Sequence, residues 1–229
     1  MLDLLNKLND EQIKPVMDTE GAVLVIAGAG SGKTRVLTSR IAHLVEDLNV
    51  DPYNILAITF TNKAADEMKE RLEKIIGDIS QMWVCTIHSM CVKILRKYAE
   101  RLDYKKDFSI YSETDKDKVL KRIIIGLGLE SDKYLKTSKN LISSLKNKDM
   151  STEQFARENP RMRDVTSYMK IIDEYNAELF RSNAMDFDDL LIKTYHLLAE
   201  QRDILLALSK RFRYIHVDEF QDTNFVQYN

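Results

Sequence analysis

Cysteine, proline and glycine are all scarce in this 229-residue chain, with two, three and seven residues respectively. Two cysteines, Cys85 and Cys91, cannot build the disulfide framework of a small secreted domain, so a reduced, cytoplasmic protein is expected. With so little Pro and Gly and no low-complexity tract, there is no room for long linkers. A second domain is therefore expected to be inserted into the first, not strung after it. The longest apolar run, around Val23 to Ala29, falls far short of the ~20 residues that cross a bilayer. The amino terminus, MLDLLNKLNDEQ, has neither the basic nor the apolar region of a secretory signal. No membrane association is expected. A surplus of one charge is also missing: the formal net charge is -2, which gives no warrant for nucleic-acid binding. A local excess of Lys and Arg between Lys93 and Lys148 is read as a solvated helical surface.

What the chain does have is enough apolar residues, 44%, to bury a sizeable core. Four short runs rich in β-branched and aromatic residues read as buried parallel strands: VLVIA (23 to 27), ILAITF (55 to 60), WVCTI (83 to 87) and YIHVD (214 to 218). Helical stretches lie between the first three. Val36, Leu37, Ile41, Leu44 and Val45 recur near the 3.6 period over Thr34 to Asp47, and Ala64, Met68, Leu72 and Ile75 do so over Lys63 to Ile76. Alternation of this kind predicts an α/β fold, a parallel sheet with helices on both faces. From about Tyr98 to Asn183 only helical periodicity remains. This predicts an all-helical subdomain, residues 98–184, inserted into a domain made of residues 1–97 and 185–229.

The strongest chemical signal is AGAGSGKT, Ala27, Gly28, Ala29, Gly30, Ser31, Gly32, Lys33 and Thr34, placed where a strand turns into a helix. A phosphate chain needs converging backbone amides, and the three glycines let the main chain curl closely enough to supply them. The helix N-terminus adds partial positive charge. Lys33 can reach the β and γ phosphates, and the Thr34 hydroxyl can ligate Mg²⁺. The pattern departs from the usual P-loop in having Ala27 where a first glycine is expected.

A nucleotide held there needs a hard carboxylate for its magnesium, and Asp218 at the end of a neighbouring strand is placed to supply it. Glu219 is a candidate general base for the water that attacks the γ-phosphate. Read alone, an Asp-Glu pair after a strand serves equally as a helix cap. Two other clusters are set aside. Cys85, His88 and Cys91 lack a fourth zinc ligand. In MDFDDLL, Asp186 is expected to cap a helix beginning at Phe187.

LNDEQ (8 to 12), AGAGSGKTRVL (27 to 37), ILAITFTNKAADEMKERL (55 to 72), TIHSMCVKIL (86 to 95), MDFDDLL (185 to 191) and YIHVDEFQDTN (214 to 224) resemble, in order, the motifs of superfamily 1 DNA helicases of the UvrD/Rep/PcrA type. The resemblance covers the whole chain. It implies a RecA-like P-loop NTPase domain, an ATP and Mg²⁺ requirement, and 3′ to 5′ movement on single-stranded DNA or at single-to-double-strand junctions in repair or replication. It assigns Gln12 to adenine reading and Arg35 to the nucleotide. It assigns Phe60, Thr61, Asn62, Thr86 and His88 to single-stranded DNA, and Asp218, Glu219 and Gln221 to hydrolysis and its coupling to DNA. From the residues alone, Gln12 is a surface glutamine, Phe60 a core residue at a strand end and His88 a histidine in a turn.

The resemblance also implies a second motor domain, carrying arginines for the γ-phosphate, that this sequence does not contain. The expectation is a chain cut short, which hydrolyses ATP poorly alone. Two alternative readings stand beside this one. A small-molecule kinase would need arginines converging on its phosphates, for which Arg96, Arg101 and Arg122 are available, but it has no use for TFTNKAADEM or DEFQD. A non-catalytic nucleotide- or DNA-binding module is the other.

Overall fold

The computed structural model describes residues 8–28 and 30–228, and its fold is mixed α/β. The chain divides into two compact units. One comprises residues 1–90 and 203–222, the other residues 91–202 and 223–229.

The first unit is built on a sheet of three parallel strands, β1 (Ile55–Thr59), β2 (Trp83–Thr86) and β5 (Tyr214–Val217), in the order β2-β1-β5. Thr59 pairs with Thr86 and Ile58 with Val217, so all three strands end at one edge. Side chains alternate across a strand, so a sheet covered on both faces shows apolar residues at every position. In β1, Ile55 and Ala57 join Ile41, Leu44, Met68 and Leu72 from helices α2 (Lys33–Glu46) and α3 (Asn62–Ile76). Leu56 and Ile58 turn the other way, packing with Cys85 and Phe212 and with Leu208 of α10 (Arg202–Arg211).

Helix α3 shows how the sequence sets its bounds. The Thr61 hydroxyl accepts a hydrogen bond from the Ala64 amide at 3.1 Å, capping the N-terminus. Ala65, Met68 and Leu72, three and four residues apart, form the buried stripe. Gly77, at φ 78°, ends the helix in a conformation that other residues adopt only with strain. Burial of a side chain such as Leu72 contributes about 1.5–3 kcal/mol, so Leu72→Ala would break this contact first.

One expected strand does not form. Residues 22–28 lie outside regular structure, and Leu24, Val25 and Ile26 are 69%, 40% and 88% exposed. An apolar run becomes a strand only when neighbouring strands pair its amides and cover its side chains. No described strand pairs with this run.

In the second unit, α5 (Glu113–Gly126), α6 (Ser131–Asn147) and α8 (Val165–Arg181) bury Leu120, Ile124, Ile142, Ile171 and Tyr175 against one another. A ladder of two residues on each side, β3 (Ser109–Ile110) with β4 (Ala184–Met185), is too short to leave any periodicity in the sequence. Its first strand falls in the stretch expected to be wholly helical, and its second lies at the end of that stretch. Helix α9 (Phe187–Glu200) then starts as expected: Asp186 caps it, accepting from the Asp189 amide at 2.8 Å.

The acids of MDFDDLL are drawn into a buried ionic cluster. Lys116 on α5, 3% exposed, lies 3.3 Å from Asp186 and 3.2 Å from Asp188. Lys146 on α6 lies 3.0 Å from both Asp186 and Asp189, and the Tyr175 hydroxyl donates to Asp186 at 3.1 Å. Burial favours the neutral acid, but the Lys146 and Lys116 ammoniums outweigh it and hold the Asp186 carboxyl well below the usual range. Burial, with Asp186 beside it, pushes Asp189 up. No helix among the described residues is long and apolar enough to cross a membrane.

Candidate functional site

The P-loop of the first unit is shaped by its glycines and closed by side chains. Gly30 and Gly32 have φ of 73° and 87°, in the left-handed region, and Gly32 is the residue that opens α2. A Cβ on Gly32 would come 3.0 Å from Gln12 Nε2. Ser31 Oγ donates to the Gly28 carbonyl at 2.7 Å, and Lys33 Nζ donates to the carbonyls of Ala27 and Gly28 at 3.1 Å each. Ala29 lies outside the described residues. Arg35, on the first turn of α2, is exposed.

Gln12 sits against this loop, not on open surface. It belongs to the capping box that starts α1 (Asp10–Met17), where Asn9 N donates to its Oε1 at 3.0 Å. Its Nε2 donates to the Ser31 carbonyl at 2.8 Å. The sequence signal for this helix start is the Asn9-to-Gln12 spacing of a capping box.

The acidic cluster meets the loop. Asp218 follows β5, and its amide donates to the Ile58 carbonyl at 2.9 Å, extending the ladder by one rung. Its Oδ2 then lies 3.4 Å from the Thr34 hydroxyl, which donates to it. Two hard oxygen donors, one on the P-loop helix and one at a strand end, are the set that suits a divalent cation such as magnesium. Glu219 takes φ 52°, and its amide donates to Asp218 Oδ1 at 3.1 Å. A non-glycine residue in this region is sparsely populated and re-aims the side chain that follows the strand. Gln221 Nε2 donates to Glu219 Oε2, so the two hydrolysis candidates touch.

The residues expected to meet DNA share the edge where the three strands end. Phe60 follows β1 and is half-buried. Thr61 and Asn62 are exposed at the start of α3. Thr86 ends β2, is buried, and accepts from the Ser89 amide at 3.2 Å. His88, half-buried, stands on the first turn of α4 (Ile87–Tyr98). The carboxyl edge of a parallel sheet is where α/β folds place their ligands, and parallel pairing puts Phe60, His88 and Asp218 at that edge.

One buried group beside the site was not singled out by sequence. His216 on β5 faces inward, and among the described residues its Nε2 has no hydrogen-bond partner. Burial, with the Arg40 guanidinium adding to it, pushes its pKa down to about 4. Arg40 itself donates to the carbonyls of Pro15 and Asp18, holding α2 to the end of α1.

Residues 8–229 match the family described as UvrD/REP helicase N-terminal domain. The ATP-dependent DNA helicase PcrA of Staphylococcus aureus strain Mu50 is 44% identical over 227 residues, which is 98% of this chain and 31% of that protein. The protein of the same name from Staphylococcus epidermidis strain RP62A is 44% identical over 229 residues, with the same shares covered. The chain therefore spans about a third of the length of the curated relatives it matches.

Proposed function

Because this chain belongs to the UvrD/REP helicase N-terminal domain family, we propose that it is the ATP-binding part of an ATP-dependent helicase that moves 3′ to 5′ along single-stranded DNA. The observation that carries the reading is the 3.4 Å approach of Thr34 to Asp218 at the mouth of the P-loop. Lys33 binds the phosphates. Thr34 and Asp218 hold Mg²⁺. Glu219, re-aimed by its backbone, orients and deprotonates the attacking water, and Gln221 steadies it. Gln12, on the P-loop's flank, turns from its loop contact to the adenine, and Arg35 adds a nucleotide contact. Magnesium, when bound, supplies positive charge that offsets the charge developing on the γ-phosphate.

Phe60 stacks on a base at the carboxyl edge, with Thr61, Asn62, Thr86 and His88 holding the backbone beside it. In this reading residues 1–97 and 185–229 are the motor and residues 98–184 its insertion, bounds that differ from the two compact units at 91–97, 185–202 and 223–229. A second motor domain supplies arginines worth about 10³ to 10⁵ in rate in related phosphoryl transfers. The sparse cysteine usage fits a cytoplasmic protein of DNA repair or replication. The matched relatives carry helicase names, which leaves the kinase reading without support.

Steady-state ATP hydrolysis, with and without excess single-stranded oligonucleotide and with Lys33→Ala as the blank, tests this. Turnover close to the blank is expected of one motor half. Robust DNA-stimulated turnover by this chain would contradict the division of labour proposed.

A further inference from the structure

Two residues, Phe60 and Thr61, separate the last residue of β1 from the first of α3, and the chain turns from extended to helical within them. Side chains hold that turn from both ends. The Thr59 hydroxyl donates to the Thr61 carbonyl at 3.1 Å, and the Thr61 hydroxyl accepts from the Ala64 amide at 3.1 Å. The same Thr61 carbonyl accepts from the Ala65 amide at 3.0 Å, at the start of α3. A carbonyl oxygen has two lone pairs, so it can hold strand and helix at once. Phe60 is the residue spanned by these bonds.

Thr59 is 1% exposed, so water does not compete for its hydroxyl, and β-branching leaves its side chain few rotamers. A valine there would fill nearly the same space without burying a hydroxyl, so packing alone does not call for threonine. The neighbouring strand repeats the device. Thr86 pairs with Thr59 in register, is also buried, and its hydroxyl accepts from the Ser89 amide at 3.2 Å across the first turn of α4. Two adjacent strand ends thus each use a buried threonine to grip the segment that follows, and those segments carry Phe60 and His88.

We propose that Thr59 is a positioning residue for Phe60. Its hydroxyl fixes the strand-to-helix turn before DNA arrives, so the ring is already held in its stacking direction and binding does not have to order it. Thr59 itself does not touch DNA. The inference rests on the functional reading above for the role of Phe60, but not for the clamped turn.

Two measurements on this chain test it, using Thr59→Val, which removes the hydroxyl, Thr59→Ser, which keeps it, Phe60→Ala, and Thr59→Val combined with Phe60→Ala. Each is measured below its own melting transition, and Thr59→Ala replaces Thr59→Val if the latter does not fold. Hydrogen exchange reads the turn without DNA. Amides of residues 60–65 are expected to exchange about fivefold faster or more in Thr59→Val, with α2 and β2 unchanged and Thr59→Ser close to wild type. The second measurement is affinity for a fluorescein-labelled single-stranded oligonucleotide. It should fall about threefold or more in Thr59→Val, stay within about twofold in Thr59→Ser, and show no further fall when Thr59→Val is added to Phe60→Ala.

Unchanged exchange at 60–65 would overturn the clamp. Faster exchange with unchanged affinity, or an equal loss of affinity with and without the Phe60 ring, would overturn the positioning role, because a merely structural effect multiplies with Phe60→Ala instead of vanishing in it. A wild-type chain that binds no oligonucleotide, or binds it equally after Phe60→Ala, would overturn the functional reading and with it the role given to Thr59, and exchange would still decide whether the turn is clamped.

Discussion

The Thr34 hydroxyl and the Asp218 carboxylate approach to 3.4 Å although 184 positions separate them in the chain. The contact joins the start of α2 to the end of β5, the two places where a P-loop site needs oxygen ligands for one cation. Asp218→Asn keeps the shape and removes the charge. It is expected to weaken Mg²⁺-dependent nucleotide binding ten- to a hundredfold, about 1.5–3 kcal/mol for a charged partner. Titration with Mg²⁺ at fixed nucleotide measures this, and an unaltered Mg²⁺ requirement would remove Asp218 from the site.

Phe60 is expected to act through its ring. Phe60→Ala should weaken single-stranded oligonucleotide binding by about 1–3 kcal/mol, the range for loss of one base-stacking contact. The slope of affinity against salt should not change, because no phosphate contact is lost. Fluorescence anisotropy at several salt concentrations separates the two. Unchanged affinity would return Phe60 to the sheet's packing alone.

The ionic cluster of the helical unit should be costly to break from one side. Lys116→Met leaves Asp186 and Asp188 buried with less compensation and is expected to destabilise by about 3–5 kcal/mol. The exposed pair Lys14 and Glu11 gives the contrast: Lys14→Met should change urea midpoints very little. Equal effects of the two substitutions would show that the cluster is not dry.

Stability should also fall in mild acid through His216. Its folded pKa, near 4, lies below the ordinary 6.5, so between those values the unfolded chain binds a proton that the folded chain refuses. The contribution is complete above about pH 6.5 and is lost as pH falls towards 4, on the order of 3 kcal/mol in all. His216→Phe should flatten that part of the pH-stability profile. A slope identical in wild type and variant would assign the acid sensitivity to other groups.

Much of this was legible in the sequence, for reasons that differ by residue. The strands 55–59 and 83–86 could be read because both faces of each are covered, which makes them largely apolar, and 214–217 could be read from its aromatic and β-branched residues although Ile215 is exposed. The cap at Asp186 could be read because capping is local: the acid, the helix and the Asp189 amide lie within three residues. The run 23–27 misled because its composition suits a strand while pairing is a property of its neighbours, and its side chains stay exposed. The contact of Gln12 with Ser31 and that of Asn224 with Asn147 span 19 and 77 positions. No periodicity encodes such pairs. His216 was hidden for the same reason, since its burial beside Arg40 follows from how α2 packs on the sheet.

The most direct test of the central claim is equilibrium binding of a fluorescent ATP analogue by this chain, in Mg²⁺ and in EDTA, for wild type, Lys33→Ala and Asp218→Asn. Saturable binding that Mg²⁺ strengthens, that Lys33→Ala removes, and that loses its Mg²⁺ dependence in Asp218→Asn is the predicted result. Binding that survives Lys33→Ala unchanged, or is indifferent to both substitutions, would contradict the assignment of Ala27 to Thr34 and Asp218 as the nucleotide site.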